Sequence, residues 1–163
     1  MNKEDLDIIL DEVIRRLYRN DAELLREGLE WAISHRLAVY LESFFNGWNV
    51  DCEYTKMGHE FKTKHDSNGN YKRPDIVIHK RGLTFKEKNL LVIEVKFRNN
   101  DGFDFDKLVE FTSEPCGARI FQYQYGLAIS FQPELQLNWF ENGHEITNQS
   151  RRRGISRCGF LQR

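Results

Sequence analysis

Three charged side chains interrupt two runs of residues that otherwise have the composition of buried β-strands. Asp75 opens the run Asp-Ile-Val-Ile-His, and Glu94 and Lys96 lie inside Leu-Leu-Val-Ile-Glu-Val-Lys-Phe. A carboxylate or an ammonium group in a dry strand is costly unless another group compensates its charge. Two carboxylates and a lysine converging on a divalent cation would supply that compensation, so these residues predict a chemical site and not only a core.

The size and composition of the chain predict one soluble domain. Its 163 residues suit a single core, and 40% hydrophobic residues are enough to fill it. No apolar run reaches the length of about 18 residues that a membrane helix needs, and the first residues lack the apolar core of a signal peptide. The three cysteines are widely spaced without a CxxC pair, which indicates reduced thiols and a cytoplasmic protein.

The basic residues are concentrated in two segments, although the whole chain has a net charge of -1. Residues 56–98 carry 11 basic and 5 acidic residues, and residues 151–163 carry 5 arginines and no acid. Positive charge therefore surrounds the charged strands, where contacts to phosphate would be needed. The alternative is that these lysines and arginines only line a solvated hairpin loop and a solvated tail.

Hydrophobic periodicity predicts an α/β domain over residues 1–150, followed by a basic tail over 151–163. We expect an N-terminal helix over residues 3–18 and a second helix from about 21 to 45, interrupted near Gly28. Further along the chain we expect strands at 48–54, 75–79, 90–97 and 121–131, a short helix holding Leu108 and Phe111, and a C-terminal hairpin over 135–147 around Asn142-Gly143.

Strand geometry predicts that the three charged residues meet. Side chains alternate between the two faces of a strand, so Glu94 and Lys96 share one face. In an antiparallel hairpin the start of one strand lies beside the end of the next, which puts Asp75 next to Glu94 or Lys96 on that face. Both faces of 90–97 are apolar at first, so we expect this strand to be central in the sheet.

Such a cluster has a use in phosphoryl chemistry. Carboxylate oxygens suit Mg²⁺ or Mn²⁺, and a bound metal lowers the pKa of a water ligand and neutralises charge that develops on phosphorus. Lys96 would orient or deprotonate the attacking water, or stabilise the pentavalent centre. The alternative is an aspartate at a strand start and a Glu–Lys pair on an exposed edge strand.

Glu30 extends the inward stripe of the second helix by one turn. It lies at helical spacing from the apolar residues Ile33, Leu37, Leu41 and Phe44. A carboxylate on that face is unusual, so Glu30 is a candidate for a second contribution to the site. The alternative is a glutamate that stabilises a helix N-terminus.

The pair Pro74-Asp75 followed by Glu94-Val95-Lys96 resembles the PD-(D/E)xK phosphodiesterase superfamily of restriction-endonuclease-like nucleases. The resemblance covers about residues 28–131 and implies an αβββαβ core whose mixed central sheet is flanked by helices. It implies Asp75, Glu94 and the Val95 backbone carbonyl as ligands of Mg²⁺ or Mn²⁺, Lys96 as the activating lysine, and Glu30 as a further ligand of the metal or of water. It also implies a product with a 5′-phosphate.

We expect phosphate contacts from basic residues near these segments. They are Arg73, Lys80, Arg81 and Arg98, with His35 and Arg36 on the helix. The expected function is therefore Mg²⁺-dependent hydrolysis of phosphodiesters in nucleic acid, above all DNA.

Two other classes of function remain as alternatives. One is a catalytically silent module of the nuclease fold that binds nucleic acid or a protein, and the other is a structural or regulatory interaction protein. The resemblance and the apolar N-terminal helix also suggest a homodimer.

Overall fold

A computed structural model of the chain describes residues 1–54, 56–57, 60–61, 73–98, 105–115 and 122–146. The basic tail predicted over 151–163 lies outside the described residues, as does most of the segment between residues 58 and 72. The core that carries the three charged residues falls within the described ranges.

Four helices are described: α1 (Lys3–Asn20), α2 (Ala22–Glu27), α3 (Glu30–Glu42) and α4 (Phe105–Thr112). A reciprocal cap begins α1, because the Asn2 side chain accepts from the Asp5 amide and the Asp5 carboxylate accepts from the Asn2 amide. A 3₁₀ turn, Lys86–Lys88, leads into the longest strand of the sheet.

Within the described residues, eight strands form one large sheet and one two-stranded ribbon. The ribbon pairs β2 (Lys56–Met57) with β3 (Glu60–Phe61). The large sheet has the order β1-β4-β5-β6-β7-β8, and its only parallel pair within the described residues is β5–β6. Its strands are β1 (Asn49–Cys52), β4 (Ile76–His79), β5 (Asn89–Arg98), β6 (Tyr125–Gln132), β7 (Gln136–Glu141) and β8 (His144–Ile146).

Helices cover both faces of this sheet, which makes the domain a mixed α/β structure, as predicted. The alternating side chains of β4 and β5 explain the two layers. Ile76 and Ile93 pack with α1 and α3 in the larger hydrophobic cluster. Val77 and Val92 point to the opposite face and pack with Leu108 of α4 in the smaller cluster. Strand β5 is buried on both faces over most of its length, which confirms its expected central position.

The predicted interruption of the second helix is present at Gly28. This residue ends α2 in the left-handed conformation, with φ of 70°, and α3 begins at Glu30. A Cβ atom at position 28 would lie 2.7 Å from Cε1 of Phe97. Only glycine allows both this backbone angle and so close an approach of the chain to the Phe97 ring. The break at Gly28 brings the first turn of α3 against the end of β5.

The apolar stripe of α1 packs inside the chain. Leu6, Leu10, Val13 and Leu17 are buried in the larger cluster with residues of α3. The apolar stripe that suggested a homodimer is thus buried by packing within the chain. Among the described helices, none combines the length and apolar character needed to cross a bilayer.

Candidate functional site

The hairpin of β4 and β5 brings Asp75 and Glu94 together. Ile76 is paired with Ile93 in an antiparallel register, so the residue before Ile76 lies across from the residue after Ile93. Oδ2 of Asp75 accepts a 2.7 Å hydrogen bond from the Val95 amide. The two carboxylates therefore occupy adjacent strand positions on the face that α4 covers.

Burial dominates the electrostatics of both carboxylates. It raises the pKa of Asp75, although the Val95 amide, Lys107 and Lys96 act in the opposite direction. Burial raises the pKa of Glu94 to about 8, opposed by Lys107 and reinforced by the nearby charge of Asp75. A cation that enters this site would lower the free-energy cost of ionising both carboxylates.

Lys96 is held by the carboxylate of Glu30. Nζ of Lys96 is 3.1 Å from Oε1 of Glu30, and Oε2 accepts a 3.0 Å hydrogen bond from the Phe97 amide. Partial burial by itself would lower the pKa of Lys96. The hydrogen bond and charge of Glu30, together with the charges of Asp75 and Glu94, have the larger effect, so the pKa of Lys96 is raised. Lys96 is therefore an ammonium cation at neutral pH.

Lys107 of α4 is a member of this cluster that the sequence analysis did not identify. Its Nζ lies 2.7 Å from Oε1 of Glu94, and it donates a hydrogen bond to the Arg73 carbonyl oxygen. The sequence does contain one indication of this position. Lys107 lies four residues before Phe111, which places it on the inward face of a short amphipathic helix.

The oxygen atoms at the hairpin fit a hard divalent cation. Asp75 and Glu94 supply carboxylates, and the Val95 amide binds Asp75. Because the amide and carbonyl of one strand residue point to the same side, strand geometry directs the Val95 carbonyl towards Asp75 as well. Both oxygens of Glu30 already accept hydrogen bonds, which places it as a holder of Lys96. In the described part of the chain no group of three or more His, Cys, Asp or Glu residues forms a metal cluster.

Two of the predicted phosphate contacts lie beside the cluster. Arg73 is joined to it through the hydrogen bond between its carbonyl oxygen and Lys107, and its guanidinium pairs with Glu53 at 3.3 Å. Arg98 ends β5 two residues after Lys96, with its guanidinium 5.8 Å from the centre of the Phe97 ring.

Lys80 and Arg81 lie away from the cluster. They follow the far end of β4, about 15–20 Å along the strand from Asp75. Nζ of Lys80 is 5.2 Å from the Trp48 ring centre, and Arg81 forms a two-pronged ion pair with Asp51. The same aspartate bonds the buried His79 at 2.9 Å.

His35 and Arg36 line a separate surface cleft between the ends of α1, α2 and α3. The imidazole of His35 stacks on Trp31 with ring centres 6.3 Å apart. The Arg36 guanidinium is 3.2 Å from Asp21 and donates to the Tyr40 hydroxyl at 2.9 Å. The structure thus does not gather the six predicted phosphate contacts on one surface.

The cluster therefore consists of three carboxylates, two ammonium groups and one backbone amide, gathered at the end of the central strand. Its members are Glu30, Asp75, Glu94, Val95, Lys96 and Lys107. It presents hard oxygen ligands beside a cation of raised pKa, an arrangement suited to reactions of anionic substrates. No family model, no curated protein and no solved structure matches this chain.

Proposed function

We propose that this protein is a metal-dependent phosphodiester hydrolase that acts on nucleic acid, with DNA as the expected substrate. The observation that carries the proposal is the convergence of Asp75 and Glu94 with Lys96 at the end of β5. A buried and a half-buried carboxylate of raised pKa next to each other have little structural value, because each increases the cost of ionising the other.

Asp75, Glu94 and the Val95 carbonyl would hold Mg²⁺ or Mn²⁺. When bound, the metal would supply Lewis acidity and lower the pKa of a water that attacks phosphorus in line, leaving a 5′-phosphate. The order of elements α3, β1, β4, β5, α4 and β6 supports the proposal of an αβββαβ core like that of restriction-endonuclease-like nucleases, in which β2–β3 would be an insertion.

Lys96 would act as a fixed positive charge. Its raised pKa favours the ammonium form, which suits stabilisation of negative charge on the phosphoryl oxygens better than removal of a proton from water. Glu30 would keep the ammonium group charged and oriented, since it bonds both Nζ of Lys96 and the backbone of the next residue. Arg73 and Arg98 are the neighbouring cations that would contact the substrate backbone.

Cleavage of plasmid DNA and of short labelled duplexes, with and without Mn²⁺, tests this function. We expect Mn²⁺-dependent strand breaks in wild-type protein and none in Lys96→Ala. Lys86→Ala is the matched control, because Lys86 bonds Asn142 on another part of the surface. Labelled RNA of the same sequence distinguishes the two nucleic acids. Wild-type protein that leaves all of these substrates intact under every metal condition would contradict the proposal.

The alternative is a catalytically silent module of the same fold. It is favoured by the pairing of both lysines within the protein, Lys96 with Glu30 and Lys107 with Glu94. Binding of Mn²⁺ distinguishes the two functions. An enzyme requires a wild-type affinity that Asp75→Ala loses, whereas a silent module predicts no difference between these proteins.

A further inference from the structure

The ion pair of Lys107 with Glu94 lies on the very carboxylate that would hold a metal. Their charged atoms are 2.7 Å apart, and the two side chains are 12% and 11% exposed. A bound Mg²⁺ would lie about 2.1 Å from the same oxygen. An ammonium group and a divalent cation cannot share that oxygen from the same side, because their charges repel at such short range.

The balance of charges also indicates that a bound metal replaces the Lys107 ammonium group at Glu94. When ionised, Glu30, Asp75 and Glu94 carry three negative charges, against two positive charges on Lys96 and Lys107. Adding a divalent cation to this set would leave an excess of positive charge in a largely buried site. Replacing Lys107 by the cation would make the set neutral, which is the favourable arrangement where solvent screening is weak.

The anchoring of α4 allows Lys107 to move without its helix. Leu108, Phe111 and Thr112 fix the helix on the sheet, since all three are buried and Thr112 packs against Gly126. A lysine has a flexible four-carbon stem, so its ammonium group can leave Glu94 by side-chain rotation alone.

We propose that Lys107 is a tethered counter-ion: it occupies the cation position beside the Glu94 carboxylate when that group is ionised without metal, and it is displaced when a divalent metal binds. This inference rests on the proposed function, because it assigns the metal to Glu94. It gives Lys107 a regulatory role: the strength of its ion pair sets the concentration of metal at which the site fills.

Labelling of lysines by an amine-acylating reagent, read by mass spectrometry, tests the exchange in the unmodified protein. At a pH above 8, where Glu94 is ionised, we expect Mn²⁺ to increase the labelling rate of Lys107 severalfold, because the ammonium group loses its ion pair with that carboxylate. Lys3 is the matched control, since it forms a 2.9 Å ion pair with Asp7 and is similarly shielded, at 20% exposure. In Glu94→Gln we expect Lys107 to be labelled faster than in the metal-free wild type, at a rate that Mn²⁺ does not change.

Mn²⁺ binding to Lys107→Met provides a second measurement. Methionine fills a similar volume without a charge, so we expect tighter binding of Mn²⁺ than in the wild type. If Mn²⁺ binds Lys107→Met but not the wild type, this would also support the inference, because it would show that the ion pair blocks the metal site. If Lys107→Met does not fold, labelling of the wild type decides.

Two results would overturn the inference, and they differ in what they say of the function. If Mn²⁺ binds the wild type but changes neither the labelling of Lys107 nor the affinity of Lys107→Met, only the exchange is refuted. If Mn²⁺ binds neither protein, the proposed metal-dependent function fails with it.

Discussion

Nζ of Lys96 lies 3.1 Å from Oε1 of Glu30, a residue 66 positions earlier in the chain. The other oxygen of the same carboxylate bonds the Phe97 amide. Glu30 therefore fixes the lysine and also the backbone that follows it. This double contact ties α3 to the end of β5, so the position of the ammonium group depends on the break at Gly28 that starts α3.

Replacement of Glu30 by glutamine should separate its charge from its hydrogen bonding. The pair with Lys96 is about one third exposed, so we expect Glu30→Gln to lower the free energy of unfolding by less than about 1 kcal/mol. Cleavage should fall by about tenfold or more, because the lysine loses its orienting charge. Urea unfolding and single-turnover cleavage rates measure the two effects.

Glu12→Gln is the control for this prediction. Glu12 pairs with Arg16 at 2.9 Å with similar exposure, but on the surface of α1 away from the cluster. Its replacement should leave cleavage unchanged. Equal cleavage rates in Glu30→Gln and Glu12→Gln would contradict the role given to Glu30.

Loss of the Lys96 charge should affect the reaction more than metal binding. We expect Lys96→Met to lower the cleavage rate by about 10²–10³-fold, the usual effect of removing one group that stabilises transition-state charge. Affinity for Mn²⁺, measured by calorimetry, should be retained, because the proposed ligands are Asp75, Glu94 and the Val95 carbonyl. A variant that cleaves like the wild type would exclude Lys96 from the chemistry.

Divalent metal should stabilise the fold through Glu94. A cation that binds only the folded state raises the melting temperature in proportion to the logarithm of its concentration. We therefore expect Mn²⁺ to raise the melting temperature of wild-type protein and to have little effect on Glu94→Gln. An equal rise in both proteins would place the metal elsewhere.

Stability without metal should decrease as pH rises from about 4.5 to about 8. Burial raises the pKa of Glu94 from its ordinary value of 4.5 to about 8 in the folded chain. Between these values the folded state holds a proton that the unfolded state has released, so the free energy of unfolding falls with pH. Asp75, whose pKa is also raised by burial, adds to the same trend.

Urea unfolding across this pH range measures the slope, and Glu94→Gln is the comparison. The amide does not titrate, so the variant should show a shallower decrease than the wild type. Parallel slopes in the two proteins would mean that Glu94 is not the group responsible.

Alanine at position 28 should disturb the site from a distance. Gly28 has φ of +70°, and a Cβ there would lie 2.7 Å from the Phe97 ring. We expect Gly28→Ala to cost about 1 kcal/mol or more for the left-handed backbone alone, and further stability for the displaced ring. Cleavage should also fall, because Glu30 follows two residues later.

Gly82→Ala isolates the cost of the backbone conformation. Gly82 has φ of +78° with no atom within 4 Å of the added Cβ. It should lose less stability than Gly28→Ala and keep its cleavage rate. A loss of stability in Gly82→Ala equal to that in Gly28→Ala would show that contact with Phe97 has no effect.

Features that depend on local periodicity were predictable. The alternation of Asp75, Glu94 and Lys96 with apolar neighbours indicated a hairpin, and Ile76 is indeed paired with Ile93. The position of Glu30 on the inward stripe of its helix indicated that it faces the sheet, and it bonds the end of β5 with a side chain that stays 37% exposed. Strand and helix periods fix which face a side chain occupies, and that was sufficient here.

Features that depend on pairing between distant residues were not predictable. In the sequence, Lys107 cannot be distinguished from a solvent-exposed helix lysine. Its contact with Glu94 is set by the docking of α4 on the sheet. Arg81 was expected to contact phosphate, but the pairing of β1 with β4 places Asp51 beside it. Sequence shows the charge of each residue, whereas the partner that neutralises it is set by tertiary packing.

The two helical layers approach the cluster from opposite faces of the sheet, with Glu30 arriving on α3 and Lys107 on α4. A chain in which only one layer has docked would lack one of these charges and would leave a carboxylate or an ammonium group without its counterpart. The complete set of charged groups therefore exists only after both helical layers have docked, and a newly made or partly unfolded chain would lack the assembled cluster.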